Sequence, residues 1–132
     1  MTVITRVEDI DAWKEVRSLA SSIYRLTQEG PWARDFGLRD QIRRASVSIA
    51  SNIAEGYARD SELEFCRFLA IARGSANEAK TQLYIALDLG YVDEDAFREA
   101  YGRLDRICGI ITNFIRYLRN RQRKPPTSGS NN

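Results

Sequence analysis

Three features of the sequence predict an all-α chain folded as an antiparallel up-down-up-down four-helix bundle. No stretch alternates apolar and polar residues for long enough to make a strand. Four long segments instead repeat their apolar residues at spacings of three and four, the signature of helices with a buried face. Short connections built from Gly, Pro or a capping side chain separate them, as successive antiparallel helices require.

The first helix is predicted to start near Asp9, whose carboxylate can cap free backbone N–H groups, and to run to about Gln28, where Gly30-Pro31 stops it. Its inward set is Ile10, Trp13, Val16, Leu19, Ala20, Ile23, Tyr24 and Thr27, leaving Lys14, Glu15, Arg17 and Arg25 to water. Residues 30 to 37, GPWARDFG, read as a connection, with Trp32 and Phe36 tucked onto the bundle end.

The second helix, Leu38 to Tyr57, is the one around which the chain is organised, and it carries no charge from Ala45 to Ala54. Leu38, Ile42, Ala45, Ile49 and Ile53 form one apolar stripe; Val47, Ala50, Ala54 and Tyr57 form another on a different side. A surface helix has one greasy face, so a helix with two is predicted to be covered by neighbours on both sides, the second stripe acting as a subunit interface.

Ser61 and Glu64 are placed as a capping box for the third helix, which runs to about Leu89 and stops at Gly90. Phe65, Phe68, Leu69, Ala72, Ala76, Ala79, Leu83, Ala86 and Leu87 share its inner face. A glycine in mid-helix costs up to about 1 kcal/mol against alanine, so Gly74 predicts a close approach by another backbone. Asp93 caps the fourth helix, with Phe97, Tyr101, Leu104, Ile107, Cys108, Ile111, Phe114, Ile115 and Leu118 inward. Residues 1 to 120 thus form the bundle, and 121 to 132, RQRKPPTSGSNN, a basic and disordered tail.

Length and composition fit a single domain: 132 residues, 43% hydrophobic and 29% charged, suffice for one core without disulfides or metal. No apolar run approaches the roughly 20 residues that span a bilayer, and the N-terminus lacks an export signal, so a cytoplasmic protein without a membrane partner is expected. Cys66 and Cys108 lack metal-ligand spacing and read as small apolar residues kept reduced. With no histidine in the chain, the commonest general base and metal ligand is missing. No serine has a base nearby in sequence, so the expectation is a protein that is not an enzyme and needs no cofactor.

Two groups of polar residues are candidates for function. Gln41, Arg44, Ser48, Ser51, Asn52 and Glu55 form a polar stripe between the apolar ones, and Ser75, Glu78 and Gln82 are spaced to face it from the third helix. This is either a pocket with an arginine, a serine and a carboxylate, or a hydrogen-bond network that fixes helix register or subunit geometry.

The second group lies in the tail. Residues 1 to 115 hold 15 basic and 18 acidic side chains, a net of −3, whereas Arg116, Arg119, Arg121, Arg123 and Lys124 stand without an acid in 116 to 132, a net of +5. They make either a phosphate-binding knob or cations placed favourably at a helix C-terminus. Arg39, Arg43, Arg59 and Arg73 are scattered among acids and read as solvated or ion-paired surface groups.

Leu38, Gln41, Arg43-Arg44-Ala45, Ser48-Ile49, Asn52-Ile53-Ala54-Glu55-Gly56 and Arg59, followed by Phe65, Phe68-Leu69, Ala72-Arg73-Gly74-Ser75 and Glu78, resemble the four-helix-bundle proteins encoded in intervening sequences of bacterial 23S rRNA genes. The likeness spans about residues 7 to 118 and departs mainly in the first loop, where Gly30-Pro31-Trp32 replaces the family's usual Phe-Pro. It implies a ring-like homopentamer. The chain is also similar to the accessory variability protein of diversity-generating retroelements, which implies RNA or DNA and a reverse transcriptase or other protein as partners. Such relatives are more basic than the body of this chain. A homo-oligomeric accessory protein for structured RNA is therefore expected, with an interaction scaffold free of nucleic acid as the alternative.

Overall fold

A computed structural model describes residues 3–123, which form five α-helices and one 3₁₀ turn, with no strand among the described residues. The helices are α1 (Asp11–Leu26), the short α2 (Gly30–Arg34), α3 (Phe36–Tyr57), α4 (Glu62–Asp88) and α5 (Glu94–Arg123). The four long ones form a bundle in which α3 lies against α1 and α4, and α5 lies against α4 and α1.

Ala12, Val16, Leu19 and Ile23 are buried on α1, whereas Tyr24, expected inside, is 44% exposed. Asp9 does not cap α1. Its Oδ2 accepts from the backbone N–H of Thr5 (3.0 Å) and Arg6 (3.3 Å) and from the Thr5 hydroxyl (3.0 Å), folding the preceding segment into the turn Val7–Asp9. Those hydrogen bonds hold the Asp9 carboxyl below its ordinary value.

The expected loop at 30–37 contains a helical turn of its own. Gly30 has a φ of +75°, which a side chain would disfavour, and Pro31 suits the first turn of α2. Trp32 is fully buried and stacks on Tyr91 at 6.2 Å. The Tyr91 hydroxyl donates to Asp35 Oδ2 (2.9 Å), while Asp35 Oδ1 accepts from the Leu38 N–H (3.1 Å) and so starts α3. Phe36 does not tuck in: it is 64% exposed and lies beneath the Arg39 guanidinium at 4.7 Å.

Helices α3 and α4 share the most extensive contact in the bundle. The partners Ser48–Ser75 and Gly56–Phe68 run in opposite sequence directions, so the two helices are antiparallel. At Gly56 the helices approach closely, since a Cβ there would stand 2.6 Å from Phe68 Cβ and 2.9 Å from Phe65 Cδ1. The expectation for Gly74 fails: it lies on the outer side of α4, and an added Cβ would meet nothing within 4 Å.

Ser61 Oγ accepts the Glu64 N–H (3.2 Å) to open α4, but the Glu64 carboxylate turns to Arg67 (3.1 Å) instead of completing the box. Gly90, again at φ +75°, ends α4: its N–H donates to Leu87 O (3.0 Å) and that of Tyr91 to Ala86 O (2.8 Å).

Asp93 Oδ1 caps α5 through the Ala96 N–H (2.8 Å). α5 runs antiparallel to α4, pairing Asp105 with Lys80 (2.9 Å), Thr112 with Arg73 (3.0 Å) and Arg121 with Glu62 (3.0 Å). Arg103 ties it to α1 through Ser22 Oγ (2.9 Å) and Ser18 Oγ (2.7 Å). The helix continues to Arg123, three residues beyond the expected bundle boundary, while Lys124 and the rest of the expected tail lie outside the described residues.

Two substitutions separate the glycines. Gly56→Ala should lower stability by about 1–3 kcal/mol, because two helices must separate to admit the methyl group. Gly74→Ala should leave it unchanged or raise it by up to about 1 kcal/mol. Urea denaturation of both variants checks this, and equal midpoints would contradict the packing described.

The thiols give a second test. Cys66 is buried and Cys108 half-buried, and burial pushes both thiols above their ordinary value. Since the thiolate is the nucleophile, both should react with iodoacetamide at neutral pH more slowly in the folded than in the urea-unfolded chain, Cys66 the more so. Equal rates in the two states would contradict the burial.

Candidate nucleic-acid interface and assembly face

The polar stripe of α3 pairs only at its centre. Ser48 Oγ and Ser75 Oγ lie 3.0 Å apart, and the Asn52 amide donates to Ser48 O (2.9 Å) and Ser48 Oγ (3.0 Å). These groups sit where α3 and α4 are close, so each hydroxyl replaces lost water with the other. Glu55 instead binds Arg59 at the surface (2.9 Å). Gln41, Arg44 and Glu78 are exposed and, among the described residues, join no hydrogen bond or ion pair, so the expected network does not extend to them.

These outer groups line a groove of about 840 Å³ with Tyr24, Val47, Ser51 and Gln82. A second groove, of about 650 Å³, shares Tyr24, Val47 and Ser51 with the first and continues past Ala50 and Ala54 to Trp13 of α1. One side of α3 is therefore an open trough. Val47 is 43% exposed, and Ala50 and Ala54 are half-buried. Tyr57, expected on this stripe, is turned toward the bundle end, where its ring meets Phe65 edge-on at 6.1 Å. Arg44 and Glu78, of opposite sign, border the trough from facing helices.

The basic residues of α5 divide into two kinds. Arg121 is engaged, ion-paired to Glu62 (3.0 Å) with its guanidinium 5.5 Å from the Tyr117 ring. Arg116 and Arg119 are exposed and border a groove of about 250 Å³ between α4 and α5, with Arg73, Thr112, Ile115 and Asn120 completing its lining. Arg116 donates only to Asn113 Oδ1 (3.1 Å) and Arg73 only to Thr112 Oγ1 (3.0 Å). Arg119 makes no hydrogen bond or ion pair among the described residues. No acid lines this groove, so three guanidinium groups from two helices share one concavity. Arg123 follows Arg119 by one turn of the same helix.

Arg73 is the site residue that sequence reasoning missed. It lies 43 positions before Arg116, and only the α4–α5 register, set by Lys80–Asp105 and Cys66–Ile115, brings the two together. Arg43, expected as a solvated or ion-paired surface group, is instead tied to the end of α1. Its guanidinium donates to Thr27 Oγ1 (2.8 Å), Thr27 O (3.3 Å) and Tyr24 O (3.4 Å), closing the C-terminus of α1, where a cation also meets the negative end of the helix dipole.

No group of metal-ligating side chains occurs among the described residues, and no helix there is long and apolar enough to cross a membrane. What the arrangement offers is anion recognition in the α4–α5 groove and apolar contact along α3.

The comparisons agree with this architecture. The fold is similar to the crystal structure of a Bacteroides thetaiotaomicron protein of unknown function from the S23 ribosomal protein family, with a TM-score of 0.73 and 22% identity over 79% of this chain and 97% of that one. Among curated proteins none matches. The sequence profile described as 23S rRNA-intervening sequence protein matches residues 8–113, a span that takes in α1 through most of α5 and includes Arg73 but not Arg116 or Arg119. The chain therefore belongs to the 23S rRNA-intervening sequence protein family.

Proposed function

We propose that the chain is a non-enzymatic accessory protein that associates with copies of itself through the α3 trough and binds structured RNA through the α4–α5 groove. The observation that carries the nucleic-acid reading is the set Arg73, Arg116 and Arg119, which share one groove with no carboxylate partner. Arginine in a surface cluster is ordinarily neutralised by a nearby acid, as Arg121 is by Glu62. Three that are not present a local positive field and planar donors matched to phosphate oxygens.

The assembly reading rests on the trough. Val47, Ala50 and Ala54 form an apolar strip bordered by Arg44 and Glu78, which make no hydrogen bond or ion pair among the described residues and have opposite signs. A neighbouring copy offering a different face of its own bundle could cover the strip and meet the two charges, the head-to-tail contact that a closed ring requires. Five copies are what the family resemblance implies. The trough is also the feature that favours the alternative, a scaffold that captures a protein without touching nucleic acid.

For the RNA reading, affinity for a 5′-phosphorylated RNA hairpin should fall steeply with salt. Replacing Arg73, Arg116 and Arg119 together by Gln should weaken binding by about tenfold or more and flatten the log–log salt slope by about two to three. Arg121→Gln should do much less. A triple variant with undiminished affinity would refute the groove as the site.

For assembly, Ala50→Arg and Ala54→Arg should each shift sedimentation velocity toward the monomer, because a bulky cation cannot be desolvated against an apolar strip. Wild-type sedimentation as a monomer, or variants that sediment like the wild-type oligomer, would exclude this face.

A further inference from the structure

The shape of the α4–α5 groove says more than that it attracts anions. We infer that it holds a phosphomonoester at an RNA chain end in preference to the phosphodiesters along the strand. This inference rests on the RNA reading above and narrows it.

A duplex or a stem presents its diesters along a ridge, each with one negative charge and two free oxygens, and flat basic surfaces suffice to meet them. The groove is different in three respects. It is concave, about 250 Å³, which is below the range of roughly 300–1,000 Å³ typical of whole small-molecule sites and so suited to a head group with its waters. Its cations come from two helices, Arg73 from α4 and Arg116 and Arg119 from α5, so all three border one concavity instead of following a single helix. Two of the three are oriented by the protein, Arg73 through Thr112 Oγ1 (3.0 Å) and Arg116 through Asn113 Oδ1 (3.1 Å), each by one NH₂ group, which leaves its remaining N–H donors uncommitted.

A terminal phosphate carries about −1.5 to −2 charges at neutral pH and three acceptor oxygens. That number of oxygens and that charge match three guanidinium groups better than a diester does. Desolvation of a group so placed is offset by charge-assisted hydrogen bonds on several sides.

A phosphorylated peptide would bring the same head group, but it would also need a subsite for a neighbouring side chain. Ile115 is the one apolar residue in the lining, so the groove offers no such subsite.

The test compares one RNA hairpin in three forms, with a 5′-phosphate, with a 3′-phosphate and with hydroxyls at both ends, by fluorescence anisotropy on the full chain. The expected result is that one or both phosphorylated forms bind at least about tenfold more tightly than the hydroxyl form. The arm that shows the gain identifies the end. Arg119→Gln and, separately, Arg73→Gln should each weaken the phosphorylated forms more than the hydroxyl form and so shrink that preference, whereas Arg121→Gln, outside the groove, should leave it unchanged. Both side chains are solvent-accessible, so a folded variant is expected, and unchanged thermal melting verifies it.

Equal affinity of the three forms for the wild type, with binding still salt-dependent, would overturn this inference and leave the RNA reading standing. Absence of binding to any form would overturn both. Tighter binding of a phosphoserine peptide than of any RNA form would also overturn the inference, in favour of a protein ligand.

Discussion

The packing of α3 against α4 is the constraint on which the rest of the structure depends. Gly56 lets α3 come within contact of Phe65 and Phe68, and further along the same contact Ser48 and Ser75 share a hydrogen bond. Ala72, Ala76 and Ala79 continue the small-residue surface on α4, all essentially buried. With the two helices this close, a slip of register would set Cβ atoms against backbone and strand a buried hydroxyl at a cost of about 1–3 kcal/mol. Register between α3 and α4 is therefore strongly specified. The position of α4 then sets that of α5, and so which α4 residue stands beside Arg116 and Arg119.

The helices were largely legible in the sequence because their signals are local. The caps at Ser61 and Asp93 and the glycine stop at Gly90 each involve residues within a few positions of one another, and all three are observed. Expectations failed where the deciding partner was distant. Gly74 and Gly56 look alike in sequence, yet only Gly56 faces the neighbouring helix, and nothing short of the packed bundle distinguishes them. Asp9 was assigned to α1 by proximity, but Thr5 and Arg6, on its other side, offered three donors. Phe36 was judged by its apolarity, although an aromatic ring at the surface can be covered by a guanidinium such as that of Arg39.

The same distinction governs the candidate sites. The basic residues near the chain end were visible as a charge run, but the run does not reveal that Glu62 engages Arg121 and that Arg73 joins Arg116 and Arg119. Charge lists count side chains, whereas a ligand meets those that are neither paired nor covered. On α3, periodicity identified the second apolar stripe and its polar border. Only the packed bundle separates Ser48 and Asn52, which are hydrogen-bonded within the chain, from Arg44 and Glu78, which make no hydrogen bond or ion pair among the described residues. Tyr57 left the stripe because Phe65 stands within reach on α4.

A net-acidic body is compatible with a phosphate ligand, because distance and pairing remove the conflict. At physiological ionic strength charges beyond about 8 Å are largely screened, so the groove responds to its immediate surroundings. Of the acids on the adjoining stretches of α4 and α5, Glu62 is paired with Arg121 and Asp105 with Lys80, and none lines the groove. The bundle also keeps the two proposed surfaces apart. Helix α5 packs on α4 and α1, and α3 on the same two, so α3 and α5 occupy opposite corners without extensive contact. A second copy seated along Val47, Ala50 and Ala54 would therefore approach from the side away from α5. Association through one helix leaves the arginines of the other accessible, and in an oligomer each copy would add its own groove, so that weak single contacts with one RNA could reinforce one another.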